Sequence, residues 1–155
     1  MPDFGPASIT RAEADAFLGA EYKTEEESFK AALATLRKDG SPRISGIEVE
    51  FADGELFLGM MPDSIKLHDL ARDARLALHS PTEDPPDGRP QAWAGEAKLA
   101  GVAVEVDASA LPVAGGRRFR LDITEAVLTH LNEAGNRLVL ESWHPGRGTR
   151  RLERD

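Results

Sequence analysis

At 155 residues the chain fits one ordinary globular domain; such a domain buries about 70% of its unfolded surface and needs no metal or disulfide staple. It has no cysteine, which excludes a disulfide framework, a thiolate nucleophile, a zinc ribbon and an iron–sulfur cluster. Nineteen Lys+Arg against 27 Asp+Glu leave a net charge of −8, so a sequence-independent grip on nucleic acid or an anionic membrane is not expected. No apolar run approaches the roughly 20 residues that span a bilayer. Residues 1–20 lack the basic and apolar regions of a signal peptide, and the expectation is a soluble, cytoplasmic protein.

The first element is expected at residues 10–20, where Thr10 and Glu13 form a capping box and Ala14, Phe17 and Leu18 recur at helical spacing. It belongs to an N-terminal helical arm over residues 1–24. From Phe29 the period becomes two, with Phe29, Ala31, Leu33 and Thr35 on one face, which predicts a strand. Asp39-Gly40 supplies a tight turn, residues 43–51 a second strand, Asp53-Gly54 another turn and residues 55–60 a third strand. Residues 29–60 thus read as an antiparallel meander, and strand order by sequence is the simplest topology.

Helical spacing returns after Ser64, with Leu67, Leu70, Ala71 and Ala74 inward and Lys66, Asp69, Arg72 and Asp73 outward; Asp63 or Ser64 is the N-cap. Residues 75–79 form a short strand, and the proline-rich residues 80–90 a loop. The longest alternating run covers residues 91–106, where Gly95 and Gly101 mark a bulge or a close backbone approach. Residues 107–117 read as a short helix or linker. Strands are expected at 118–123, 126–131 and 137–143, with 145–155 irregular. Antiparallel strands with two small helices exclude a doubly wound nucleotide fold. The fold class is therefore mainly β (α+β), a small, partly closed barrel.

Phosphate-loop, dinucleotide, nucleophile-elbow and H-E-x-x-H signatures are absent. His68, His79, His130 and His144 lack ligand spacing, so no metal site is expected. Glu48 and Glu50 share one strand face, which suits a carboxylate pair for acid–base work and, more simply, a solvated polar face. The junction after residue 60 stands out. A strand ends, a tight loop follows and a helix opens with Ser64 and Lys66 in its first turn, where free amides and the dipole attract an anion.

The runs Ala34-Thr35-Leu36-Arg37-Lys38-Asp39-Gly40-Ser41-Pro42-Arg43, Gly54-Glu55-Leu56-Phe57-Leu58-Gly59, Ser64-Ile65-Lys66-Leu67-His68-Asp69-Leu70 and Asp73-Ala74-Arg75-Leu76-Ala77-Leu78 resemble, in order and spacing, the pyridoxamine 5′-phosphate oxidase-like family of FMN-binding split barrels. Gly95 and the run Trp143-His144-Pro145-Gly146-Arg147-Gly148 resemble its central glycine strand and C-terminal tryptophan. The resemblance implies one split-barrel domain over residues 1–155, six antiparallel strands with short flanking helices, and a homodimer holding FMN between its subunits.

Carried onto this chain, the resemblance places Arg43 at the phosphate or ribityl chain and Ser64 and Lys66 on the phosphate. The backbone of Ser45, Gly46 and Ile47 faces the ring edge, and Gly59 and Met60 stand where members often carry an aromatic and a hydroxyl residue. Ile65 replaces an arginine frequent before the lysine. Gln91 stands for a glutamine that contacts the flavin; Trp143 and Arg147 come from the partner subunit. Glu48 replaces the lysine of the substrate-phosphate site, and Tyr22 is the only tyrosine, so pyridoxamine phosphate is not the expected substrate. The implied activities are an FMN- or deazaflavin-dependent oxidoreductase acting on a small molecule, or a non-catalytic module holding flavin, deazaflavin or haem.

Overall fold

The computed structural model describes residues 28–155. The predicted helix at 10–20, the rest of the N-terminal arm and Tyr22 lie outside the described residues. The described residues form eight strands, one α-helix and one 3₁₀ turn: β1 Ser28–Leu36, β2 Pro42–Ala52, β3 Glu55–Met60, α1 Ile65–Arg72, β4 Arg75–His79, the 3₁₀ turn Pro90–Ala92, β5 Glu96–Val106, β6 Arg117–Leu131, β7 Leu138–His144 and β8 Gly148–Arg154. No helix among them is long and apolar enough to cross a membrane.

All pairings are antiparallel, in the order β3-β2-β1-β4-β5-β6, and β3 closes on β6 to complete a six-stranded barrel. The meander β1-β2-β3 is as expected, but sequence order fails after it. The chain crosses through α1, so that β4 pairs with β1 (Leu33 opposite Leu78) instead of with β3. Period-two side chains fill the interior: Ala31 and Leu33 from β1, Ile47, Val49 and Phe51 from β2, Leu56, Leu58 and Met60 from β3. Leu67 and Leu70 of α1 join the same core.

Two expected strands at 118–123 and 126–131 are one 15-residue strand, β6. The register against β5 jumps between Ala100–Glu125 and Gly101–Ile123, leaving Thr124 as the extra residue of a bulge. Inward positions therefore change from Leu121 and Ile123 to Ala126, so the alternation breaks although the strand does not. Gly101 is required there, since a Cβ on it would lie 2.2 Å from the Asp122 carbonyl oxygen. Gly95 also meets the expected close approach, but it precedes β5 instead of lying within a strand. Residues 107–116 contain no helix, and residues 148–154, expected to be irregular, form β8 against β7.

The barrel is split beside β2. Its pairing with β1 runs from Glu50 to Pro42, whereas its pairing with β3 covers only Val49–Leu58 to Ala52–Glu55. The N-terminal half of β2 therefore extends beyond β3, and the first turn of α1 lies against it.

Candidate functional site

Two elements meet at the split. Asp53 and Gly54 both take positive φ, 52° and 80°, in the tight turn that launches β3 toward α1. After β3, Asp63 adopts φ 58° and reverses the chain, and Ser64 takes the N-cap position with extended backbone. The Ser64 carbonyl accepts from the amides of Leu67 and His68 at 3.0 and 3.2 Å, while the amides of Ile65 and Lys66 precede the helical ladder. Lys66 then reaches back to β2, donating from Nζ to the Gly46 carbonyl at 2.7 Å.

A cavity of about 380 Å³ opens between these elements, lined by Arg37, Arg43, Ile44, Ser45, Ser64, Ile65 and Lys66. Three cations and no carboxylate line it, in a chain of net charge −8. The hydroxyl oxygens of Ser45 and Ser64 are both buried and both without a hydrogen-bond partner, and Ser64 makes no side-chain cap bond. An unmet buried hydroxyl costs about 1–3 kcal/mol. Two beside one cationic cavity mark donors arranged for an acceptor. Burial lowers the pKa of Lys66 by disfavouring its charged form, a penalty that an adjacent anion would offset.

Behind the cavity lies Asp69, 2% exposed. Its carboxylate accepts from Arg43 Nε at 2.6 Å, from Arg72 Nη2 at 2.8 Å and from Thr35 Oγ1 at 2.9 Å. Burial alone would raise its pKa, but the bonds from Arg43, Arg72 and Thr35 outweigh that and hold it at about 2. The helical pattern had turned this residue outward; the structure turns it in, because Thr35 occupies an inward position of β1 and requires a polar partner.

The structure thus brings together Arg43, Ser45, Gly46, Ser64 and Lys66. Ile47 points into the core at 6% exposure, and Met60 is also a core residue. Gly59 lies under Leu111, whose Cδ2 would be 2.9 Å from an added Cβ. Trp143 is 5% exposed and packs within the core. Gln91 sits in the 3₁₀ turn and lines a different cavity, of about 600 Å³, with His130, Asn132 and Arg151. Arg147 is exposed in the turn joining β7 to β8. The carboxylates of Glu48 and Glu50 are not paired for acid–base work: Glu50 is engaged by Arg118 at 3.0 Å and Glu48 is exposed. Sequence reasoning missed Arg37 and Asp69. The signal for Asp69 was Thr35, a hydroxyl among inward apolar residues.

No protein-family model matches the chain, and no curated protein matches its sequence. Solved structures do. PhzG from Burkholderia lata 383, in complex with tetrahydrophenazine-1-carboxylic acid, superposes with a TM-score of 0.60 at 14% identity, covering 85% of this chain and 83% of that one. A pyridoxamine 5′-phosphate oxidase-related, FMN-binding protein from Nostoc punctiforme PCC 73102 gives 0.58 at 11% identity, over 81% and 87%. The fold is the split barrel of these proteins. A haem-binding protein from Mycobacterium smegmatis gives 0.55 at 17% identity; 93% of this chain spans only 58% of that one. At these identities the likeness is one of architecture, and the ligand has to be argued from the cavity.

Proposed function

We propose that the chain binds FMN by its phosphate in the cavity between β2 and α1, and that a homodimer of it acts as a cytoplasmic oxidoreductase on a small, unphosphorylated molecule. The observation that carries this reading is the pair of buried, unpartnered hydroxyls of Ser45 and Ser64 beside Arg37, Arg43 and Lys66. Hydroxyls, a guanidinium, an ammonium and first-turn amides together form the donor set for a phosphate dianion. The FMN-binding and haem-binding neighbours support a planar cofactor in this fold. Gln91 and Arg147, exposed and away from the cavity, are available to a second copy. Exposed Ile44 (78%), Ile65 (61%) and Met61 (59%) form an apolar set at and beside the cavity that a second copy would cover.

When bound, the isoalloxazine supplies the hydride and electron chemistry. Ser45 and Ser64 donate to phosphate oxygens, and Lys66 has two donors left after Gly46. Asp69 takes only Nε of Arg43, leaving its terminal nitrogens for the anion. The stretch Ser45 to Ile47, on the part of β2 without β3 pairing, offers backbone dipoles to the ring edge that gains negative charge. Exposed Glu48 on the same stretch disfavours a second phosphate by like-charge repulsion. A flavin, deazaflavin or haem reservoir without turnover is the second reading. It is favoured by a cavity lining that holds no carboxylate or histidine to handle protons.

Titration with FMN tests the first step. Wild-type protein should turn yellow with micromolar affinity, and Lys66→Ala should lose the colour; a protein that takes up neither FMN nor deazaflavin sinks the first reading, and one that also fails to take up haem sinks both. Reduction by a nicotinamide donor followed by repeated reoxidation separates an enzyme from a reservoir, and elution at the monomer mass removes the shared pocket.

A further inference from the structure

A buried carboxylate, that of Asp69, sits where α1 packs against the barrel. Leu67 and Leu70 of α1 pack into the barrel core beside it. Stability alone does not call for such a group, because a buried ion pair is commonly no better than apolar side chains of the same volume. What Asp69 does that an apolar residue cannot is bond three elements at once: Thr35 of β1, Arg43 of β2 and Arg72 of α1. Arg72 in turn donates to the Leu36 carbonyl at 2.8 Å, fixing the helix end to the same hairpin.

We propose that Asp69 is a positioning residue for the anion seat, holding Arg43 through Nε so that its terminal nitrogens stay at the cavity. The proposal rests on the cavity being a phosphate seat. Arg43 is one-quarter exposed on the half of β2 that has no β3 neighbour, and Asp69 is the only partner its side chain has among the described residues. Without that bond a long side chain at an open strand edge would sample many rotamers, and each bond to an anion would have to order it anew. With it, the guanidinium is fixed before the ligand arrives. Because Asp69 also takes bonds from Thr35 and Arg72, its own position does not depend on Arg43.

The test is a double-mutant cycle read by binding and by spectroscopy on the full chain. Inorganic phosphate and FMN are titrated into wild type, Asp69→Asn, Arg43→Gln and the double variant, with the Arg43 Nε–H followed by nitrogen-15 NMR. Asp69→Asn should weaken both ligands about tenfold, the scale of one charge-assisted hydrogen bond, should add no loss in the Arg43→Gln background, and should abolish a protected Arg43 Nε–H signal. A folded Asp69→Asn with undiminished phosphate affinity, or an equal further loss in the Arg43→Gln background, overturns the proposal. If Asp69→Asn does not fold, Thr35→Val decides: a two- to threefold loss supports it and an unchanged affinity overturns it. Lys66→Ala keeps the two readings apart. If wild type and Lys66→Ala bind phosphate equally, the seat itself is wrong and the role of Asp69 goes with it. If Lys66→Ala loses phosphate while Asp69→Asn does not, the positioning role alone fails.

Discussion

The cavity between β2 and α1 and the cavity beside the β6–β7 turn differ most in what their walls have left to bond. The second is the larger, about 600 Å³ against 380 Å³, and is lined by Gln91, His130, Leu131, Asn132, Glu133, Ala134 and Arg151. Three of its polar side chains are engaged: Asn132 donates to Asn136 and Glu153, His130 Nδ1 lies 2.9 Å from the Leu131 carbonyl oxygen, and the adjoining Glu141 has His130 at 3.7 Å and Arg151 at 3.4 Å. None of its lining side chains has a polar atom that is both buried and unpaired, whereas the smaller cavity has two. Unmet donors, rather than volume, therefore single out the site, because a buried hydroxyl without an acceptor is a standing cost that a ligand removes.

The largest expected effect contrasts the two cavities directly. Lys66→Ala should weaken FMN about 100-fold, the loss of a charged hydrogen bond in a partly buried site. Arg151→Ala should leave the affinity of a single chain within about twofold. Equal losses from the two variants would break the comparison.

The next effect is on acid stability. Asp69 is held at about 2 against an ordinary value of 3.8, so its contribution is complete above pH 4 and is lost as pH falls through 2. Asp69→Asn should cost about 3 kcal/mol at neutral pH, as for a buried charge pair that loses one partner. Its stability should then fall less steeply than that of the wild type between pH 4 and pH 2. Parallel acid-unfolding curves would show that the carboxylate is not paired in solution.

Where the sequence was legible, one physical signal acted alone. Asp53-Gly54 fixes a tight turn by its positive φ angles, and β3 runs over the predicted residues 55–60. The strand-to-helix junction placed Ser64 and Lys66 together because an N-cap and first-turn residues announce themselves locally. Where it was not, two signals competed or none was present. The bulge at Thr124 breaks the alternation of β6 without ending the strand. β8 has no buried residue at all, and a strand without an inner face leaves no period in the sequence. Asp69 was hidden for another reason: helical periodicity treats a carboxylate as solvent-facing, and only the distant Thr35 and Arg43 make its burial tolerable.

A smaller effect has opposite signs in the free and loaded protein. Ser45→Ala and Ser64→Ala each delete a buried hydroxyl that has no partner, so without ligand they should leave stability unchanged or raise it by up to about 1 kcal/mol. Ser64 makes no cap bond, so the usual penalty for losing an N-cap does not apply. With saturating phosphate the order should invert, since the wild type gains ligand stabilisation that the variants forgo. Thermal melts with and without phosphate would show this, and variants destabilised under both conditions would mean that the hydroxyls serve the fold.

The smallest effect belongs to the second cavity. Glu141→Gln removes the charge facing His130 and Arg151, but Arg151 is 55% exposed and its bond to Glu141 is long, so solvent screens most of the interaction. The expected cost is under about 1 kcal/mol, or about 2–4 °C in Tm for a chain of this length. Phosphate and FMN affinity should stay within about twofold of wild type if this cavity only completes the fold. A loss of FMN affinity with phosphate affinity intact would mean that a second copy presents this cavity to the ring end of the cofactor. In that case the two cavities would be halves of one site, and their difference in unmet bonding would separate the end that seats the anion from the end that covers the ring.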